Sequence, residues 1–209
     1  MEKIILFQGD SITDCGRSRE SRNNMGHGYA TLVGAALGAA EPYQYQFINR
    51  GISGNRVVDL YARIKRDFLN LKPDYLSILI GVNDVWHEYA AEPNGVDDAK
   101  YRRVYDLLIE ELKAELPDVK IYILEPFVLK GSGTEAHWEE FDREVRLRAK
   151  SAKWIAEKHS LTFVPLQERL DALCEKCEAA YLLRDGVHPT AAGHEVIARA
   201  LMEAVRKDI

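Results

Sequence analysis

Residues Tyr75 to Ile80 read "YLSILI", an apolar run broken only by one serine. A strand with one wet face alternates apolar and polar residues, so this run must be covered on both sides. Strands buried on both faces belong to parallel sheets, whose crossover connections lay helices over each face. The pattern recurs along the chain. Candidate strands at Lys3 to Gln8, Tyr45 to Asn49, Lys120 to Leu124 and Thr162 to Val164 alternate with helical periods at 29–40, 98–116, 138–159, 166–178 and 190–206. A further amphipathic helix is marked by Val57, Leu60, Ile64, Phe68 and Leu71. This alternation predicts an α/β fold, a three-layer α/β/α sandwich around a five-stranded parallel sheet. No internal repeat, low-complexity tract or Pro/Gly-rich linker interrupts it, so residues 1–209 read as one domain.

A chain of 209 residues buries roughly 70% of its unfolded surface, enough for a core that needs no staples. Its 28 basic and 33 acidic residues give a net charge of -5 with no large like-charge block, which argues against a nucleic-acid partner or a basic membrane face. The opening "MEKIILFQGD" has too few apolar positions for a signal-peptide core, and no later run approaches a membrane-spanning length of about 20. The expectation is a soluble, cytoplasmic protein without a membrane partner. The odd set of Cys15, Cys174 and Cys177 is no disulfide framework. Cys174 and Cys177 form a C-x-x-C pair, but their spacing with Leu166, Leu170, Leu173 and Tyr181 favours buried thiols on one helix over half of a zinc site.

The longer loops, 12–27, 82–97 and 125–137, all follow strands. Ligands of open parallel sheets bind beyond the carboxyl ends of the strands, which is where these loops lie. Four stretches on or near that edge carry chemistry: "GDSIT" after the first strand, "NRGISGN" after the second, "GVND" after the third and "DGVHP" before the last helix. Ser11 sits where a buried strand ends, so a rigid element can hold its hydroxyl at the cleft. Alone it reads equally as a turn residue, since a serine becomes a nucleophile only beside a general base. His188 is the candidate base. Asp185, three residues earlier, can hold one imidazole nitrogen while the other reaches Ser11, and Pro189 suits the first turn of the helix that follows.

The four blocks, in order from Gly9 to His188, resemble the SGNH (GDSL-type) hydrolase superfamily, and "GDSITDCG", "GISGN", "IGVNDVW" and "DGVHPTAAGH" are most similar to its bacterial acetylxylan esterase-like branch. The resemblance implies a serine esterase on a flavodoxin-like sheet of strand order 2-1-3-4-5. Ser11, Asp185 and His188 would form the triad, and an oxyanion hole would come from Ser11 N–H, Gly54 N–H and the Asn83 amide. Gly54, lacking a Cβ, lets its N–H approach a substrate closely. The implied substrate is a short-chain ester, with an acetylated xylo-oligosaccharide or similar sugar leading. No cofactor is implied, and self-association is a family-level expectation. Lysophospholipase, thioesterase and general short-chain esterase activities stand as alternatives, with a non-catalytic carbohydrate-binding protein behind them.

Ser53 nearly matches the G-x-S-x-G nucleophile elbow, but Gly54 follows it directly, and the resemblance leaves Ser53 structural. Asp10 is placed to pin the turn backbone, Asp84 to cap the following helix, and Arg50 either in the cleft or on the surface. Trp86, His87, Tyr29, Phe127 and Trp138 serve equally as walls of a sugar-ester pocket or as core. The histidines other than His188 show no metal-like grouping in sequence, so no metal is expected.

Overall fold

The computed structural model describes residues 2–21 and 24–209. Five parallel strands, β1 (Lys3–Gly9), β2 (Tyr45–Asn49), β3 (Tyr75–Leu79), β4 (Lys120–Leu124) and β5 (Thr162–Val164), form one sheet in the order β2-β1-β3-β4-β5. Successive side chains point to opposite faces, and both faces are apolar. Ile5, Phe7, Tyr122 and Leu124 pack beneath α2 (Tyr29–Ala40), α8 (Gln167–Cys174) and α10 (Ala191–Val205). Leu6, Leu76, Ile78 and Ile123 face α3 (Val57–Ala62), α4 (Ile64–Asp67), α6 (Asp98–Glu115) and α7 (Trp138–Lys158). This is the three-layer sandwich. The strand order reverses between β1 and β3, and the crevice at such a switch point is where open α/β sheets bind ligands. Two short helices open there, α1 (Ser11–Asp14) directly after β1 and α5 (Val82–Trp86) directly after β3. No helix among the described residues is long and apolar enough to cross a membrane.

Several local expectations change. The helix read through Val57 to Leu71 is broken into α3, α4 and a 3-10 turn at Leu69–Leu71. At Arg63 the backbone leaves helical geometry (ψ 16°), and the guanidinium bonds the carbonyls of Gly9 at 3.3 Å and Arg50 at 3.1 Å, at the strand ends. Helix α8 stops at Cys174, because Leu173 O gathers the Lys176 and Cys177 N–H groups and the Cys177 thiol in a closing turn. Cys177 is therefore off that helix, both thiols are half-buried, and Tyr181, 64% exposed, belongs to the separate α9 (Ala179–Leu182). Pro189 lies ahead of α10 and bridges to Leu183, while Thr190 caps the helix through Gly193 N–H. The loops after β1 and β3 are partly helical, as α1 and α5 show.

Candidate active site

The nucleophile candidate is presented by a cap. Asp10 Oδ1 accepts the Ile12 N–H at 2.9 Å, starting α1 so that Ser11 is its first residue. Asp10 thus pins the turn as its position suggests. It is fully buried, and desolvation pushes its carboxyl up to about 7 against the Ile12 N–H bond that favours the charge.

Ser11 Oγ lies 2.9 Å from His188 Nε2, and His188 Nδ1 lies 2.7 Å from Asp185 Oδ2. The sequence separation of 177 residues between Ser11 and His188 is closed by the crossover topology alone. Asp185 is held by its own turn: Oδ1 accepts the N–H groups of Val187 (3.0 Å) and His188 (2.8 Å). Burial opposes its charge, yet these bonds and the imidazole contact leave the carboxyl below its ordinary range. A carboxylate accepting from Nδ1–H leaves the Nε2 lone pair facing the Ser11 hydroxyl.

The backbone of Asp185 is fixed from outside as well. Gly133 N–H donates to Asp185 O at 2.8 Å and Leu129 N–H to Gly186 O at 2.9 Å, so the Leu129–Thr134 segment straps the "DG" turn. A Cβ on Gly131 would come 2.5 Å from the Asp185 carbonyl carbon, so only glycine lets the two backbones touch. Nothing in the sequence pattern signals this strap, because its bonds run between main chains.

The second block forms a turn. Asn55 N–H donates to Ile52 O at 3.1 Å, and Gly54, its third residue, has φ +81°. That conformation is the signature of a type II turn and favours glycine. An added Cβ would meet no atom of the chain within 4 Å, so within the chain it is the left-handed geometry that favours the glycine. Among the described residues neither Gly54 N–H nor Ser11 N–H donates to any group of the chain. Asn83, 7% exposed on α5, spends one amide hydrogen on Asn55 O at 3.1 Å and has the other to offer. Ser11, Ser53, Gly54, Asn83, Trp86, His87 and His188 line one cleft of about 290 Å³.

Trp86 stands one turn beyond Asn83, with its ring centroid 5.6 Å from that of His188 and 6.0 Å from Phe141. His87 is half-buried at the same cleft, and burial lowers its pKa. The other aromatic candidates are elsewhere. Tyr29 and Phe127, 0% and 1% exposed, are core; Tyr29 supports α1 from below through a 2.9 Å bond between its hydroxyl and Thr13 Oγ1. Trp138 lines a separate depression with Lys130 and Glu135. Asp84 caps a different helix from the expected one: it lies inside α5 and accepts the Val57 N–H that starts α3, at 3.1 and 3.2 Å. Burial pushes its carboxyl well up. Arg50 is half-buried, its Nε has no partner among the described residues, and it is not among the residues lining the cleft. Among the described residues no imidazole hydrogen-bonds Ser53; its hydroxyl donates to Asp14 Oδ2 at 3.0 Å.

Away from this edge, Asp106, Glu110 and His159 bring ligand atoms within 4.8 Å of one another, a grouping that the sequence separation of α6 from the end of α7 conceals. Lys158 already bonds both carboxylates, and His159 Nε2 lies 2.7 Å from Asp106 Oδ1, so the acidic groups have partners within the chain.

A buried strand end presenting a serine, an oriented imidazole and free N–H groups together make a site for attack on a carbonyl carbon. The GDSL-like lipase/acylhydrolase family profile matches residues 7–196. An acetylxylan esterase of Geobacillus stearothermophilus is 37% identical over 208 residues, which cover 96% of this chain and 93% of that one. The crystal structure of Axe2, an acetylxylan esterase from the same organism, superposes with a TM-score of 0.87 at 34% identity, covering 97% of this chain and 94% of that chain. An alpha/beta hydrolase enzyme from the metagenome of Lake Arreo, Spain, gives 0.87 at 32% identity over 98% and 95%. With the sheet order, the serine site and these near-complete matches in agreement, the chain belongs to the GDSL-like lipase/acylhydrolase family and is an ester hydrolase.

Proposed function

We propose that this esterase removes acetyl groups from short carbohydrate esters, xylo-oligosaccharides foremost, through an acyl-enzyme on Ser11. The observation that carries the chemistry is the continuous relay of 2.9 Å from Ser11 Oγ to His188 Nε2 and 2.7 Å from His188 Nδ1 to Asp185 Oδ2. Ser11 Oγ bonds to the ester carbonyl carbon while its proton passes to Nε2. Charge collects on the carbonyl oxygen, where Ser11 N–H, Gly54 N–H and the free Asn83 amide hydrogen receive it. Asp185 stabilises the imidazolium. Collapse of the tetrahedral adduct breaks the bond to the sugar oxygen, which leaves with the proton from Nε2. Water then repeats the sequence and releases acetate.

The acetyl preference draws on the acetylxylan esterase relatives and on the cleft, whose 290 Å³ is at the small end of ligand pockets and is walled by Trp86. The test is acetate release from acetylated xylo-oligosaccharides, run beside p-nitrophenyl esters of rising chain length, for wild type and Ser11→Ala. Expected are the highest kcat/KM on acetyl esters and a loss of about 10⁶-fold in kcat for the variant. Faster turnover of octanoyl than acetyl esters would replace the substrate assignment with a lipase-like one. Equal activity of the two proteins would remove Ser11 from the chemistry.

A further inference from the structure

The turn that carries Gly54 is held at both ends by carboxylates that the triad does not use. At its exit, Asp84 accepts the Val57 N–H, Asn83 binds Asn55 O, and Arg63 Nε donates to Asn55 Oδ1 at 2.9 Å. At its entry, one oxygen of Asp14 takes both the Ser53 N–H at 3.1 Å and the Ser53 hydroxyl at 3.0 Å. Asp14 is 5% exposed and is the last residue of α1, whose first residue is Ser11. One four-residue helix therefore presents the serine with its first residue and grips the neighbouring turn with its last.

The grip matters because of where it acts. Ser53 and Gly54 are the two central residues of the turn, and the peptide joining them carries the Gly54 N–H. Type I and type II turns differ by a flip of that central peptide, which would reverse the direction of this N–H. Holding Ser53 at both its N–H and its hydroxyl fixes the backbone nitrogen, Cα and Cβ from which that peptide extends, and so sets the frame in which the Gly54 N–H is aimed. The surroundings leave Asp14 little freedom to release it. Arg19 binds the same carboxylate oxygen at 2.9 Å. Arg17 Nε, 3.9 Å from the other oxygen, donates to Gly51 O at 2.6 Å. Asn49 Nδ2 ties Thr13 O at 2.6 Å, on α1, to the end of β2.

We propose that Asp14 is a positioning residue for ester hydrolysis, holding Ser53 so that the Gly54 N–H stays aimed at the oxyanion that forms beside Ser11. The proposal rests on the reading of Gly54 and Asn83 as oxyanion donors. A donor that matters only once charge has developed affects turnover more than substrate binding.

The test measures kcat and KM on p-nitrophenyl acetate, with thermal unfolding followed by circular dichroism, for Asp14→Asn, Ser53→Ala, their double variant and Asn83→Ala. Asp14→Asn keeps the shape and one acceptor oxygen, so it preserves folding better than Asp14→Ala, and Ser53→Ala cuts the hydroxyl link without touching the buried carboxylate. Expected for Asp14→Asn is a loss of about tenfold or more in kcat with KM within about twofold. Ser53→Ala loses about threefold, and the double variant is no slower than Asp14→Asn, because both changes break one link. A folded Asp14→Asn with unchanged kcat, a change in KM alone, or multiplicative losses in the double variant would overturn the role of Asp14. Asn83→Ala separates the two readings. If it lowers kcat while Asp14→Asn does not, only the Asp14 proposal fails; if it leaves kcat intact, the oxyanion reading fails and takes the proposal with it.

Discussion

Two histidines of this protein, six residues apart in sequence, sit in matching frames and do opposite things. His188 places Nε2 2.9 Å from Ser11 Oγ, and His194 places Nε2 3.2 Å from Cys15 Sγ. The difference is what holds the far nitrogen. At His188 it is a carboxylate, which accepts from Nδ1 and leaves Nε2 free to take a proton. At His194 it is the Tyr29 backbone N–H, which donates to Nδ1 at 3.1 Å, so the ring proton must reside on Nε2 and point at sulfur. The second pair has a nucleophilic atom and an imidazole but no general base. Burial, followed by the positive surroundings of His27 and Arg184, pushes His194 down to about 4, while burial raises the Cys15 thiol. The pairing of residue types does not make a catalytic dyad; the polarity of the third group does.

Asp185→Asn breaks this contrast most directly. The amide can donate to Nδ1, giving His188 the tautomer that His194 now has. The expected loss in kcat approaches ~10⁴-fold with little change in KM, read from initial rates on p-nitrophenyl acetate. A variant within tenfold of wild type would mean that the carboxylate does not select the tautomer.

The other half of the comparison is visible in acid stability. His194 titrates near 6.5 when unfolded but at about 4 in the fold, so between these values the unfolded chain binds a proton that the native chain refuses. Stability contributed by keeping His194 neutral is full above about pH 6.5 and is lost progressively as pH falls to about 4. Asp10, held up to about 7 in the fold, works in the opposite direction over the same window, so the readout is the difference between proteins: as pH falls from about 6.5 to about 4, the unfolding midpoint of His194→Gln should gain on that of wild type. Parallel curves for the two proteins would show that His194 is not the group responsible. The smallest effect is expected at the sulfur: Cys15→Ala should keep kcat within about threefold, since a thiol facing an N–H donor has no base to activate it. A tenfold loss would give the pair a part in turnover.

What the sequence disclosed follows the range of the interactions involved. Apolar runs and helical periods are local, so the strands and the long helices stand close to where periodicity puts them, and the resemblance supplies the sheet order. Ser11, Asn83, Asp185 and His188 were legible because each lies in a distinctive short block. Asp14 was not: its partner Ser53 is 39 residues away, and nothing in "SITD" announces that bond. The same blindness to long-range bonds made one helix of α3 and α4, which Arg63 separates by reaching to strand ends. It left Tyr29 and Phe127 undecided between pocket and core, because an aromatic residue has the same spacing in either place.

The strap from Leu129 to Thr134 has a practical meaning for anyone who would redesign this enzyme. The connection between β4 and α7 runs beside the cleft residue Trp86, whose ring a Cβ at Gly133 would approach to 3.1 Å, and so invites loop grafting to change substrate range. Yet its main chain lies directly on that of Asp185, with no room for a side chain at Gly131. An insertion there would shift the carboxylate before it reshaped the pocket, so variation in substrate choice is better sought in side chains that line the cleft itself, at Trp86 and His87.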